Sequence, residues 1–210
     1  MRAGNRKTAR TPLARPELPV DTDALARFLI GKLLVRELPE GVASGRIVET
    51  EAYVIGDAAG HAYGGMTPRN RALFLERGHA YVYLAYGISW MLNVSSETPG
   101  IGAGVLIRAL EPLQGIAIMA NNRGTKRLRD LTRGPGRLAQ ALRIDRSLDG
   151  LDLCEEGPLW LAHDDPGRGA IRDKEIGESV RIGLSKAADR VLRYYLRGSP
   201  FASGAKSLNG

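Results

Sequence analysis

The chain has 210 residues, of which 43% are hydrophobic and 25% are charged, an ordinary composition for one soluble globular domain. No stretch reaches the roughly 18 uninterrupted apolar residues of a membrane span, and the single cysteine, Cys154, excludes an intramolecular disulfide. The net charge of +7 favours a polyanionic partner, and 24 of the 30 basic residues are arginines, which suit bidentate phosphate contacts.

Polar and basic residues open the chain. Residues 1–18 contain prolines and arginines but no apolar core, so we predict a disordered basic arm rather than a secretory signal. An organelle transit peptide is the alternative interpretation. The folded domain is predicted over residues 19–204, followed by a flexible tail over residues 205–210.

The hydrophobic pattern that follows predicts more strands than helices, and the two seldom alternate. The predicted strands cover residues 33–38, 43–54, 80–85, 90–95, 105–110 and 192–196, with two more around Leu159 and Val180. The predicted helices begin near Asp21, Pro112 and Gly134. This arrangement favours an α+β fold in a single mixed domain.

Two glutamates lie in the predicted strand 43–54. Strict alternation places Ile47, Glu49, Glu51 and Tyr53 on one face. Acidic residues are depleted in strands and seldom buried without a partner, so a pair beside a tyrosine predicts a half-open site. The alternative is a strand with one solvated face that happens to carry glutamates.

Arg108 is the one charged residue in the apolar strand 105–110. A charge in such a run usually pairs with a buried acid or an anionic ligand, and Glu49 or Glu51 is the obvious intramolecular partner. Asn93, on a neighbouring predicted strand, either hydrogen-bonds a base edge or caps a backbone group.

Tyrosines are concentrated in the predicted strand 80–85 and the turn after it. Tyr86-Gly87 falls at the tip of a predicted hairpin, where an exposed aromatic side chain suits wedging between stacked bases. The alternative is that Tyr86 folds back onto its own hairpin. A basic run over residues 123–146 indicates either a polyanion footprint or an ordinary solvated face. No metal-ligand spacing and no serine or cysteine nucleophile motif is present.

Together these segments resemble the alkyladenine (3-methyladenine) DNA glycosylase family over about residues 20–203. The resemblance rests on residues 45–53, His61, 67–70, 81–83, 86–87, Asn93, 108–112, 134–135 and 197–200. It departs at Ser89, where some relatives carry a further aromatic residue.

The resemblance implies a curved antiparallel sheet with surrounding helices and a protruding, DNA-penetrating β-hairpin. It implies a monofunctional purine DNA N-glycosylase of base excision repair, without lyase activity, acting on damaged double-stranded DNA. No cofactor, metal or membrane is expected. A monomer is expected, cytoplasmic and nucleoid-associated if the source is bacterial.

The resemblance also implies roles for individual residues. Glu51 is expected to be the general base, with Arg108 as its partner near the water and the sugar. Tyr53, His61, Tyr83 and Asn93 are expected to form the base pocket, Tyr86 to intercalate, and Arg137 and Arg197 to contact the DNA backbone. Glu49 is expected to be a supporting or solvated residue. The rival functions are a non-catalytic nucleic-acid-binding domain and a hydrolase of free nucleosides.

Overall fold

One eight-stranded antiparallel sheet, curled into a half-barrel, organises the chain in a computed structural model that describes residues 10–164 and 171–209. The strands are β1 (Leu33–Leu38), β2 (Gly41–Tyr53), β3 (Ala80–Ala85), β4 (Ser89–Ser95), β5 (Gly104–Gln114), β6 (Leu159–Ala162), β7 (Ile176–Val180) and β8 (Val191–Leu196). Their main order is β3-β4-β5-β2-β1-β6, and β8 pairs with both β2 and β7. The predicted α+β fold is confirmed.

Within residues 10–164 and 171–209, three α-helices pack around this sheet: α1 (Thr22–Leu29), α2 (Ile116–Arg123) and α3 (Pro135–Ala141). Asp21 caps α1, because its carboxylate accepts a hydrogen bond from the Ala24 amide at 2.8 Å. Leucines and alanines from α1 and α3 join the inward-facing residues of the strands in one main core. Among the described residues, no helix is long and apolar enough to cross a membrane.

The helix predicted at Pro112 begins later. β5 continues through Pro112, which lies opposite Gly45 at a register shift, and α2 starts only at Ile116. A proline is tolerated in a strand at such an irregularity. Gly115 makes the turn into α2 with a φ of 69°, a value that suits glycine.

A β-bulge in β2 changes which side chains share a face. Ile47 pairs with Leu110 and Glu49 with the adjacent Ala109, so Val48 is the extra residue on β2. As a result Ile47 and Ala52 both enter the main core, although strict alternation separates them. The prediction that Ile47 shares a face with Glu49 and Glu51 is therefore wrong.

Both ends of the described chain are packed against the domain. Leu13 and Leu18 are buried in the main core, so the prediction of a disordered arm is wrong for residues 10–18. Residues 1–9 lie outside the described residues. Near the other end, the Leu208 carbonyl and the Asn209 side chain accept hydrogen bonds from Arg193. The prediction of a flexible tail does not hold for these two residues.

Candidate active site

Two carboxylates and two guanidinium groups form a buried network on the face of β2 that points away from α1. Glu49 accepts four hydrogen bonds: from Arg108 Nε at 2.8 Å, Arg193 Nε at 2.7 Å, the Ser203 amide at 2.6 Å and Ser203 Oγ at 2.8 Å. The Glu49 side chain is fully buried. Of the two roles expected for Glu49, the solvated one is therefore wrong, because the two cations and the serine replace its water.

Glu51 belongs to the same network but has different donors. Its Oε1 lies 3.1 Å from Arg108 Nη1 and accepts the Ile182 amide at 2.8 Å, while its Oε2 accepts the Tyr53 hydroxyl at 3.0 Å. Arg108 thus pairs with both predicted acids. The Glu51 side chain is fully buried, so the prediction of a half-open strand face is wrong for the carboxylate itself.

The two glutamates differ in pKa because their partners differ. Burial raises the pKa of Glu51, and Arg108 with the two hydrogen bonds opposes this only in part. Burial acts in the same direction on Glu49, but Arg108, Arg193 and the Ser203 amide outweigh it and lower the pKa of Glu49. The environment of Glu49 therefore favours its anionic form, whereas the raised pKa of Glu51 makes this carboxyl group the better proton acceptor.

A cavity of about 400 Å³ opens beside this network. Its walls include Tyr53, His61, Tyr83, Asn93 and Tyr86, so the structure brings together the four predicted pocket residues and the predicted intercalating residue. In the described part of the chain, no group of three or more His, Cys, Asp or Glu side chains is placed to hold a metal ion. Tyr53 lines the cavity and also donates to Glu51, so it connects the cavity to the buried carboxylates.

Aromatic contacts fix the far wall of the cavity. The His61 ring meets Tyr83 edge-on with centroids 4.3 Å apart, and its Nδ1 lies 2.9 Å from the Tyr81 hydroxyl. Burial, followed by the nearby charge of Arg69, lowers the pKa of His61, which keeps the imidazole neutral near pH 7. Asn93 Nδ2 donates to the Tyr81 carbonyl at 3.3 Å, so the backbone-capping interpretation of Asn93 is confirmed while Asn93 also faces the cavity.

The turn between β3 and β4 projects two large side chains into solvent. Tyr86 and Gly87 have φ values of 50° and 69°, and the Ile88 amide donates to the Ala85 carbonyl at 2.9 Å. Positive φ at both central residues is typical of a type I′ turn. Tyr86 is 92% exposed and Ile88 is 83% exposed, so the alternative in which Tyr86 folds back onto its strands is wrong.

Comparisons with known sequences identify the family of this chain. The sequence profile of a family described as methylpurine-DNA glycosylase matches residues 17–200. The chain belongs to this family. It is 74% identical over 197 residues, 94% of this chain and 92% of the relative, to a protein of Mesorhizobium japonicum provisionally named 3-methyladenine DNA glycosylase. Human DNA-3-methyladenine glycosylase is 43% identical over 196 residues, which cover 85% of this chain and 63% of the human protein. The predicted family is confirmed.

In this member of the methylpurine-DNA glycosylase family, part of the basic run serves the fold. Arg129 and Arg133 donate through Nε to the carbonyls of Pro200 and Ala202, at 2.9 and 2.8 Å. These hydrogen bonds hold residues 200–202, which directly precede Ser203, against the basic run. The polyanion footprint over residues 123–146 stays a prediction.

The two predicted backbone-contacting arginines lie outside the cavity wall. Arg137 is exposed on α3 and pairs with Asp130 at 3.2 Å, and Arg197 is exposed just after β8. The structure contains no DNA, so contact of these arginines with the DNA backbone stays a prediction.

Four residues of this family member's site were missed by sequence reasoning: Arg193, Ser203, Asp57 and Arg181. Arg193 and Arg181 each interrupt an apolar segment, which is the same signal that identified Arg108. Ser203 and Asp57 carry no such signal, because their importance comes from contacts with residues 154 and 124 positions away in sequence.

Proposed function

We propose that this protein is a monofunctional purine DNA N-glycosylase of base excision repair. It flips an alkylated or deaminated purine, such as 3-methyladenine, out of damaged double-stranded DNA and hydrolyses the N-glycosidic bond, leaving an abasic site. The observation that carries the proposal is a buried carboxyl group with a raised pKa, joined through the Tyr53 hydroxyl to an aromatic cavity. Family membership and the names of the relatives support the substrate class.

The cavity supports recognition of a flipped base. Its volume of about 400 Å³ and its aromatic walls suit one purine ring. Extruding a nucleotide costs a few kcal/mol, and stacking on tyrosine rings returns about 1–3 kcal/mol per base. Alkylation at a ring nitrogen makes the purine cationic, so the electron-rich faces of Tyr53 and Tyr83 favour it. The neutral imidazole of His61 adds no opposing positive charge.

The buried network supports the hydrolytic step. Glu51 accepts a proton from water while the water oxygen forms a bond to the sugar C1′. The C1′–N bond breaks, its electron pair leaves with the purine, and the Glu51 carboxylate stabilises the positive charge that develops on the sugar. Arg108, fixed by Glu49, holds Glu51 in place. A single carboxylate suffices because an alkylated purine is an activated leaving group.

The β3–β4 turn supports entry into DNA. Tyr86 is exposed at the tip of this turn and also borders the cavity, so its ring fills the gap in the stack that the flipped base leaves. Arg137 and Arg197 contact the DNA backbone in this proposal. The protein acts as a monomer, in the nucleoid if the source is bacterial, and its own side chains supply the chemistry.

The test is release of 3-methyladenine by the purified protein from alkylated duplex DNA, with and without EDTA. We expect release in both conditions and an abasic product that is cleaved only after alkali, since no lyase step is proposed. Binding of the lesion without release indicates the rival function, a non-catalytic nucleic-acid-binding domain. Hydrolysis of free nucleosides but not of DNA indicates a nucleoside hydrolase.

The same assay tests the general base. Glu51→Gln keeps the shape of the side chain but cannot accept the proton, so we expect a loss of about 10²- to 10⁴-fold in the release rate with lesion binding retained. Glu178→Gln is the control, because Glu178 is an exposed glutamate paired with Arg27. Full activity of Glu51→Gln contradicts the mechanism.

A further inference from the structure

A buried arginine lies directly behind one wall of the cavity. The Arg181 guanidinium carbon is 4.7 Å from the centre of the Tyr53 ring, and the Arg181 side chain is fully buried. Tyr53 borders the cavity, whereas Arg181 does not. The Tyr53 ring therefore carries a fixed cation against one face and also forms part of the cavity wall.

Arg181 is held in this position by four hydrogen bonds. Nη1 donates to Asp57 and to the Ala52 carbonyl at 3.0 Å, and Nη2 donates to Asp57 at 3.1 Å and to the Ala187 carbonyl at 3.2 Å. The Asp57 side chain is also fully buried. Nε has no hydrogen-bond partner among the described residues, and the guanidinium group also packs against the ring of Tyr53.

The pair also joins two segments that line the cavity. Asp57 lies in the loop that continues to His61 and itself borders the cavity, and Arg181 directly precedes the lining residues 183–186. Both side chains are fully buried, so water screens their charges little. The charge of Arg181 acts on a bound base across the Tyr53 ring, and the charge of Asp57 acts from the cavity wall.

We propose that the Arg181–Asp57 pair determines how strongly the pocket favours cationic purines over neutral ones. The inference rests on the proposed function. A cation on one face of an aromatic ring draws on the same electron density that attracts a cation on the other face, and it repels that second cation. Asp57 offsets the charge of Arg181, so the balance of the pair sets the preference for lesion charge.

The proposal predicts a series ordered by charge. Asp57→Asn leaves Arg181 uncompensated and disfavours a cationic base, whereas Arg181→Gln leaves Asp57 uncompensated and favours it. The double variant has no net charge at this position, as in the natural protein. A unit charge about 8 Å from the base at an effective dielectric constant of about 20 supports a change on the order of thirtyfold in either direction.

The experiment measures dissociation constants in the Glu51→Gln background, where the base stays attached. Two duplexes are compared that differ only in one nucleotide, cationic 7-methylguanine or neutral hypoxanthine. Relative to Glu51→Gln alone, we expect the ratio of the two constants, 7-methylguanine over hypoxanthine, to rise about thirtyfold with Asp57→Asn. We expect the ratio to fall about thirtyfold with Arg181→Gln and to change less than twofold in the double variant.

Two controls separate charge from packing. Lys174→Gln removes an exposed positive charge that does not border the cavity, and Arg181→Lys keeps the buried charge, so both are expected to leave the ratio unchanged. If Arg181→Gln does not fold, the ratio of dissociation constants measured for Asp57→Asn and for these controls still tests the proposal. An unchanged ratio, or one that moves the same way in both single variants, overturns the inference. Absence of base release by the natural protein overturns the proposed function instead.

Discussion

Glu49 and Glu51 share one face of β2 and one arginine, yet their environments act on them in opposite directions. Glu49 accepts hydrogen bonds from two guanidinium groups and from both the amide and the hydroxyl of Ser203. Glu51 pairs with one guanidinium group and accepts hydrogen bonds from the Tyr53 hydroxyl and the Ile182 amide. Burial is complete for both side chains, so burial alone does not make a base. The supply of positive charge decides which carboxyl group takes a proton.

The same difference has opposite consequences for stability. Because the pKa of Glu49 is lowered in the folded state, its contribution is present above the ordinary pKa and is lost as the pH falls through the lowered value. Because the pKa of Glu51 is raised, its contribution is present below the ordinary pKa and is lost as the pH rises through the raised value. The ionised form of Glu49 therefore supports the fold, whereas ionisation of Glu51 opposes it.

The largest expected effect comes from Glu49→Gln. It leaves the fully buried Arg193 without its anion, and breaking such a pair costs about 3–5 kcal/mol of unfolding free energy. Urea unfolding at pH 7 measures this loss. Glu178→Gln breaks an exposed pair and is expected to cost at most about 1 kcal/mol. Equal losses in the two variants contradict the assigned role of Glu49.

The exposed β3–β4 turn contrasts with this interior. Tyr86→Ala removes a side chain that is 92% exposed, so the unfolding free energy is expected to change by no more than about 0.5 kcal/mol. Release of 3-methyladenine from duplex DNA is expected to fall about tenfold, since stacking on an aromatic ring contributes about 1–3 kcal/mol. Release of 3-methyladenine by Tyr86→Ala at the rate of the natural protein contradicts the proposal that Tyr86 fills the gap left by the flipped base.

Ser203→Ala also tests the contacts of Glu49 and is expected to lower the unfolding free energy less than Glu49→Gln does. It removes the hydroxyl that donates to Glu49 at 2.8 Å, while the Ser203 amide keeps its own bond. We expect a loss of about 1 kcal/mol in unfolding free energy. Ser207→Ala, at an exposed serine of the same segment, is the control and is expected to be neutral. If the two alanine variants are equally stable, the hydrogen bond from the Ser203 hydroxyl to Glu49 does not stabilise the fold.

The sequence predicts the local elements well and the long-range contacts poorly. An arginine inside an apolar strand requires an acidic partner, so pairing of Arg108 with the β2 glutamates is predictable. The bulge at Val48 is not, because it depends on the register between β2 and β5. Burial of Leu13 and Leu18 was also missed, since two isolated leucines among polar residues form no periodic pattern.

Site prediction had the same limit. The tyrosines, His61 and Glu51 are predicted from the family resemblance, but the reason why the pKa of Glu51 is raised and that of Glu49 is lowered lies in Arg193 and Ser203. Both of these residues are far from β2 in sequence. Only the folded chain brings them to Glu49.

The most direct test of the central claim is the pH dependence of base release in a single turnover. The account predicts that the rate falls on the acid side as Glu51 becomes protonated, with a midpoint above the ordinary glutamate pKa of 4.5. This acid-side decrease in rate disappears in Glu51→Gln, whose residual rate does not depend on this group. A midpoint at or below pH 4.5 in the natural protein, or an unchanged acid-side decrease in Glu51→Gln, contradicts the assignment of Glu51 as the base.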